Sequence, residues 1–405
     1  AARRCAATGD APAVRGRLRV LHTQLLLRGG TRVPLLPAGP EAFWRATLPS
    51  DELRRRLGSA GAGAGVARAR RPRAALNGGA HAPWGELTER GADEAFAVGV
   101  RLERWLAETG DGIAGEEEEE EAPRTATTVV STDDSRSMLT AKAVLSGLCL
   151  PGQRLAVNSA GSAHLRLGTA AAADGAAEAE GEAADAGSAS RPAEEGEDAA
   201  PRLDAGLELA EALGLDAGLL AGAGWPRLLD VAESAAAFGL LARGDLTEAT
   251  RRALLAAPLL SAQALAAGGS AKLARLARLV LAPCLRAAHS HEASGAERLR
   301  VAVLPGFSLL CLARLWHLGG ASAWPAPATG LLLETLADEG GAAFVRFWQL
   351  RDSWEVRPSW HEGQGPVQLV QLLGAGPEQG HGQQQAEGGA LTAQTSWAAN
   401  TCAFR

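Results

Sequence analysis

Tyrosine is absent from this chain of 405 residues, lysine occurs only at positions 142 and 272, and isoleucine only at position 113. With Ala, Gly and Arg in excess, this is the pattern a GC-rich genome produces, so an Ala/Gly/Glu-rich stretch alone says little about function. The cysteines, at 5, 149, 284, 311 and 402, form no CxxC pair and no metal-type spacing. They predict mostly buried, apolar thiols and no metal site. None of Asn77, Asn158 and Asn400 opens an N-x-S/T sequon, which counts against secretion. Long apolar runs are also missing: the best, 301–318, contains Pro305 and Arg314 and falls short of the roughly 18–20 apolar residues that span a bilayer. The expectation is a soluble or peripheral protein. A formal charge of −6 with scattered basic residues gives no footprint for nucleic acid.

What remains is long enough to bury a substantial core, as one large domain with an insertion or as two medium ones. The Arg-rich, acid-poor opening Ala-Ala-Arg-Arg-Cys-Ala-Ala-Thr reads as the remnant of an organellar transit peptide. Residues 19–27 form a short apolar run ending at Gly29-Gly30, a buried strand that feeds a phosphate-type loop. Apolar residues at 96, 100, 102, 105 and 106 recur at helical spacing over 92–107, with Thr88 and Gly91 at its entry. Residues 125–131 are strand-like and 136–150 helical. The alternation implies an α/β layer.

The acidic run 116–121 reads as a solvated loop, and the Ala/Glu/Gly/Asp tract 168–201 as disordered. Leu-rich segments near 204–213, 226–242, 246–257 and 272–288 predict an all-α insertion. Residues 300–304 form another buried strand leading into a helix over 309–318, and 330–336 with 342–350 form an antiparallel pair. The expected organisation is an α/β core over 17–150, a helical cap over 151–298, a second core part over 299–361 and a tail over 362–405.

Four segments carry a more specific signal. They are Arg28-Gly-Gly-Thr-Arg-Val-Pro34; Gly85-Glu-Leu-Thr-Glu-Arg-Gly91; Ser131-Thr-Asp-Asp-Ser-Arg136 with its helix; and Leu304-Pro-Gly-Phe-Ser308 with Trp324-Pro325 downstream. Their order and spacing resemble the histidine acid phosphatases of the phosphoglycerate-mutase-like superfamily. Asn77-Gly-Gly and Glu334 make the mitochondrial lysophosphatidate phosphatase type the most similar. The resemblance implies a three-layer α/β core with a mostly parallel central sheet and an inserted α-helical cap.

In that family several guanidinium groups neutralise a phosphate monoester bidentately. A histidine then attacks phosphorus, and an acid from a His-Asp pair protonates the leaving oxygen. Carried over position by position, Arg28 and Arg32 match the first two phosphate-binding arginines. The nucleophile falls on Gly29, the third arginine on Val130, the second histidine on Phe307 and the acid on Ser308. The expectation is therefore a catalytically inactive relative without cofactor. It would serve as a structural or interaction subunit of a protein assembly, with the mitochondrion as the implied compartment.

Two alternatives stay open: a module that binds phosphate or phospholipid through Arg28 and Arg32 without turnover, and a residual acid phosphatase acting on phosphomonoesters or lysophosphatidate. Arg28 and Arg32 themselves have a structural reading, as ion-pair members with Asp133, Asp134 or Glu334 as partners, beside the anion-binding one. The Phe307 ring is expected to fill the volume left by the missing nucleophile. Of the histidines, His22 lies too far along its strand to substitute. His81, His289, His291 and His317 read as loop or helix-edge residues.

Overall fold

A computed structural model describes residues 18–59, 83–108, 126–132, 134–148, 157–158, 200–220, 223–242, 244–267, 270–289, 297–316, 318, 324–350, 356–358 and 367–368. The acidic run 116–121, nearly all of the tract 168–201, His81, His291, His317, Asp133, and Cys5, Cys149 and Cys402 lie outside these residues.

The sheet grows from β1 (Arg19–Arg28), whose Leu25, Leu26 and Leu27 are buried on both faces. A strand covered on both sides reads as a continuous apolar run rather than an alternating one. It pairs in parallel with β4 (Glu297–Leu304), which pairs in parallel with β2 (Ala126–Ser131), which in turn pairs with the short β3 (Val157–Asn158). On its other edge β1 runs antiparallel to β5 (Gly330–Ala337), followed by β6 (Ala343–Leu350) and β7 (Val356–Pro358); β8 (Val367–Gln368) also pairs with β6. The order is β3-β2-β4-β1-β5-β6-β7. The sheet is parallel through its first four strands and closes with the antiparallel pair expected from the sequence.

Helices cover both faces. On one side lie α3 (Glu89–Glu108) and α4 (Ser135–Leu148), packed with Leu25, Leu27, Val129, Val301 and Val303. They cross closely enough that a Cβ on Gly99 would collide with the Val144 carbonyl, and one on Gly147 with the Phe96 carbonyl. Only glycine permits that approach. Two short helices, α1 (Glu41–Ala46) and α2 (Asp51–Ser59), precede them.

The opposite face is covered by α9 (Ala271–His289) and α10 (Gly306–Leu315), joined in one apolar cluster by α5 (Ala200–Ala212), α6 (Ala217–Leu220), α7 (Trp225–Ala237) and α8 (Glu248–Ala267). The chain thus has an α/β architecture, a central sheet between helical layers. Within the stretch 151–298, β3 joins the sheet and α9 packs on β1, β4 and β5. Both take part in the core. From the tail, β8 adds two residues to the β6 edge. Among the described residues, no single helix is long and apolar enough to cross a membrane.

Candidate functional site

The C-terminal ends of β1 and β4 lie side by side, with Arg28 in register with Leu304. Ligands of open α/β sheets bind outside such strand ends. A cleft of about 230 Å³ opens there. Its floor is Arg28 to Arg32 from the loop after β1 and Leu304 to Phe307 from the turn into α10; α4 adds Arg136 and α7 adds Trp225, Asp230 and Glu233.

Loop geometry is fixed by neighbours of α3. The Thr31 carbonyl accepts from the Thr88 hydroxyl at 2.8 Å, and Thr31 N–H and Oγ1–H both donate to the Glu94 carboxylate. Thr88 also caps α3, its Oγ1 accepting the Gly91 N–H at 3.1 Å, the helix entry expected there. Gly30 and Gly91 touch so closely that a Cβ on either would collide with the other segment's backbone.

Arg28 lies in a fork of contacts. Nη1 and Nη2 donate to the two Glu233 carboxylate oxygens at 3.0 and 2.6 Å, Nη1 also donates to the Pro325 carbonyl, and the guanidinium lies 5.1 Å from the Trp324 ring centroid. Such bidentate pairing combines charge with planar fit. The Arg32 Nε donates to Asp230 Oδ1 at 2.6 Å, and Asp230 Oδ2 accepts the Leu35 N–H at 2.6 Å. Asp230 is 4% exposed. The expected partners are corrected accordingly. Asp134 pairs with Arg136 at 3.3 Å, and Glu334 with Arg346 and the Trp348 indole. The carboxylates that meet Arg28 and Arg32 are Glu233 and Asp230, three residues apart on α7.

The remaining positions divide. Gly29 and Phe307 line the cleft with Arg28 and Arg32. Val130 is buried in β2, in the apolar cluster beneath α9 and α10, and Ser308 is fully buried in α10. Neither lines the cleft. Phe307 is 5% exposed, its ring 5.5 Å from that of Trp225, which also meets Trp324 edge-on at 6.1 Å. Among the described residues, a Cβ on Gly29 would have only Thr140 Oγ1 within 4 Å, at 3.6 Å, and no atom of the Phe307 ring.

Asp134 caps α4 through the Ser137 N–H at 2.9 Å. Burial pushes its pKa up, but Arg136, the Thr132 hydroxyl and the Ser137 N–H together hold it down, at about 2. His22 is buried on β1 with neither ring nitrogen hydrogen-bonded. His289 ends α9, its Nδ1 2.7 Å from the Leu285 carbonyl oxygen. Among the described residues no group of three His, Cys, Asp or Glu could hold a metal. Cys284 and Cys311 are buried free thiols, as expected, and burial raises their pKa to about 11 and about 12.

No family model and no curated protein matches this chain. Solved structures do. A phytase from Hafnia alvei matches at 15% identity over 90% of this chain and 97% of its own, with a TM-score of 0.48. A Klebsiella phytase matches at 15% over 89% and 95%, TM-score 0.49. A multiple inositol polyphosphate phosphatase of Bifidobacterium longum, complexed with inositol hexasulfate, matches at 11% over 91% and 93%, TM-score 0.45. The shared feature is the fold. One expectation is corrected by these findings: that of a chain that is not an enzyme, since the solved structures that match are phosphatases.

Sequence reasoning missed Asp230, Glu233 and the Trp225 wall. A signal was present: two acids spaced i, i+3 in an otherwise Leu- and Ala-rich helix, directly after Trp225-Pro226, form a one-sided charged face.

Proposed function

We propose that this chain acts on phosphate monoesters in the cleft beneath α7, with Arg28, Arg32 and Arg136 as the anion-binding side chains. The observation that carries this reading is the convergence of three guanidinium groups, from β1, the loop after it and the first turn of α4, on one cleft at parallel strand ends. With glycine at 29, hydrolysis here has no phosphohistidine. Water attacks phosphorus as the ester P–O bond breaks, the leaving oxygen taking its proton from solvent. Glu233, displaced from Arg28 by the phosphate, is the carboxylate placed to accept the water proton.

The test is twofold: calorimetric titration with inorganic phosphate, and phosphate release from aryl and lysophosphatidyl monoesters from acidic to neutral pH. Saturable binding, weakened about tenfold or more by Arg28→Ala, with release above a denatured control and no trapped phospho-enzyme, supports the reading. Absence of both binding and release overturns it. The likeness to mitochondrial lysophosphatidate phosphatases makes lysophosphatidate the first natural ester to assay and mitochondrial fractions the first to probe.

A second reading, as an interaction subunit, is favoured by the helical insertion, where Leu260 is 65% exposed and Leu255 45% exposed on α8. It predicts that native protein sediments within a larger assembly and that Leu260→Glu releases it.

A further inference from the structure

From the charge balance of the cleft we infer that Asp230 and Glu233 determine ligand selectivity, restricting the site to esters carrying a single phosphate on an apolar body and excluding polyphosphorylated ligands. The inference rests on the phosphate-monoester reading and specifies its substrate class.

Each cleft arginine faces a carboxylate: Arg28 faces Glu233, Arg32 faces Asp230 and Arg136 faces Asp134. An entering phosphate therefore exchanges with Glu233 on the Arg28 fork. A second phosphate on the same ligand would meet Asp230, held by both Arg32 and the Leu35 N–H. Among the described residues lining the cleft no uncompensated guanidinium is left to receive it, and like charges brought together at a binding interface are strongly unfavourable. Aromatic rings line the same cleft: Trp225, Phe307 and Trp324 cluster at its Arg28 end. Rings of that kind reward an apolar or planar group and offer nothing to a ring of further phosphates. Both carboxylates come from the helical insertion, so selectivity is written on α7 while anion binding is written on the core.

The experiment is calorimetric titration of the full chain with inorganic phosphate, phenyl phosphate and inositol hexakisphosphate, in wild type and in Glu233→Gln and Asp230→Asn, with thermal melting as a control for folding. Wild type is expected to bind phenyl phosphate more tightly than hexakisphosphate. Each amide is expected to raise hexakisphosphate affinity about tenfold or more, and that of phenyl phosphate by less. Tighter hexakisphosphate binding in wild type, or an affinity unmoved by either amide, overturns the selectivity role while leaving monoester binding intact. No binding of any phosphate overturns both. The amides retain shape and hydrogen bonding, so collapse of the fold in both variants would mark the carboxylates as purely structural and also overturn the inference.

Discussion

At position 29 an added Cβ would meet only the Thr140 hydroxyl at 3.6 Å, whereas at Gly91, on the facing segment, it would collide with the Thr31 backbone. Two glycines in one site thus have opposite tolerances. Gly29→Ala should change stability by less than about 1 kcal/mol, and Gly91→Ala should cost about 2 kcal/mol or more because backbone must move; urea denaturation of the two variants checks the contrast. His22 gives a second outcome. Burial, then the charges of Arg300 and Arg286, lower its pKa to about 3 from an ordinary 6.5. The folded chain keeps it neutral while the unfolded chain protonates it, so stability is full above pH 6.5 and falls as pH drops from 6.5 towards 3. Asp134 adds a loss further down, between its ordinary 3.8 and about 2. His22→Leu should flatten the first of these slopes in pH-dependent melting, at little cost near neutrality, because neither ring nitrogen has a partner to lose.

The insertion helix α7 is the element on which the cleft depends. It begins at a buried Trp225 followed by Pro226 at the helix start, where proline's fixed φ suits the first turn. Its next turns deliver Asp230 and Glu233 to the core loop. Asp230→Ala removes the partner of both Arg32 and the Leu35 N–H and should cost about 3 kcal/mol or more, read as a lower denaturation midpoint with an unchanged slope. The helices themselves were legible in sequence: the periodic apolar residues of α3, α4, α7 and α9 mark elements whose information is local. The partners of the arginines were not. Arg32 and Asp230 are 198 residues apart, and nothing local distinguishes a carboxylate that reaches across the fold from one that faces water. Asp134 and Glu334 were plausible by nearness to motifs, but each had a closer cation, Arg136 and Arg346.

Across the whole chain, the architecture was more readable than the chemistry. Four ordered segments fall on β1, the entry of α3, β2 with α4, and β4 with α10, and the sheet brings β2, β4 and β1 together as neighbours. Strand runs and Gly-Pro punctuation encode such placement directly. The short β3, β7 and β8, of two or three residues each, carry too little pattern to be seen. The surroundings of Gly29 could not be read either, because packing there is settled between distant segments, with Thr140 of α4 as the nearest neighbour of an added Cβ.

The position of β1 sets the order in which the molecule can be made. This strand leaves the ribosome before its neighbours in the sheet, β4 and β5, and the Glu233 that clamps its last residue lies 205 residues further on. Contacts so distant in sequence are slow to form and leave apolar strands waiting. Leu25, Leu26 and Leu27 gain their first sheet partners only with residues 301–303, and their second only with residues 330–332. A chain interrupted within the helical insertion would therefore expose the apolar run of β1, and aggregation of such nascent fragments, rather than failure of the finished cleft, is the hazard this topology carries.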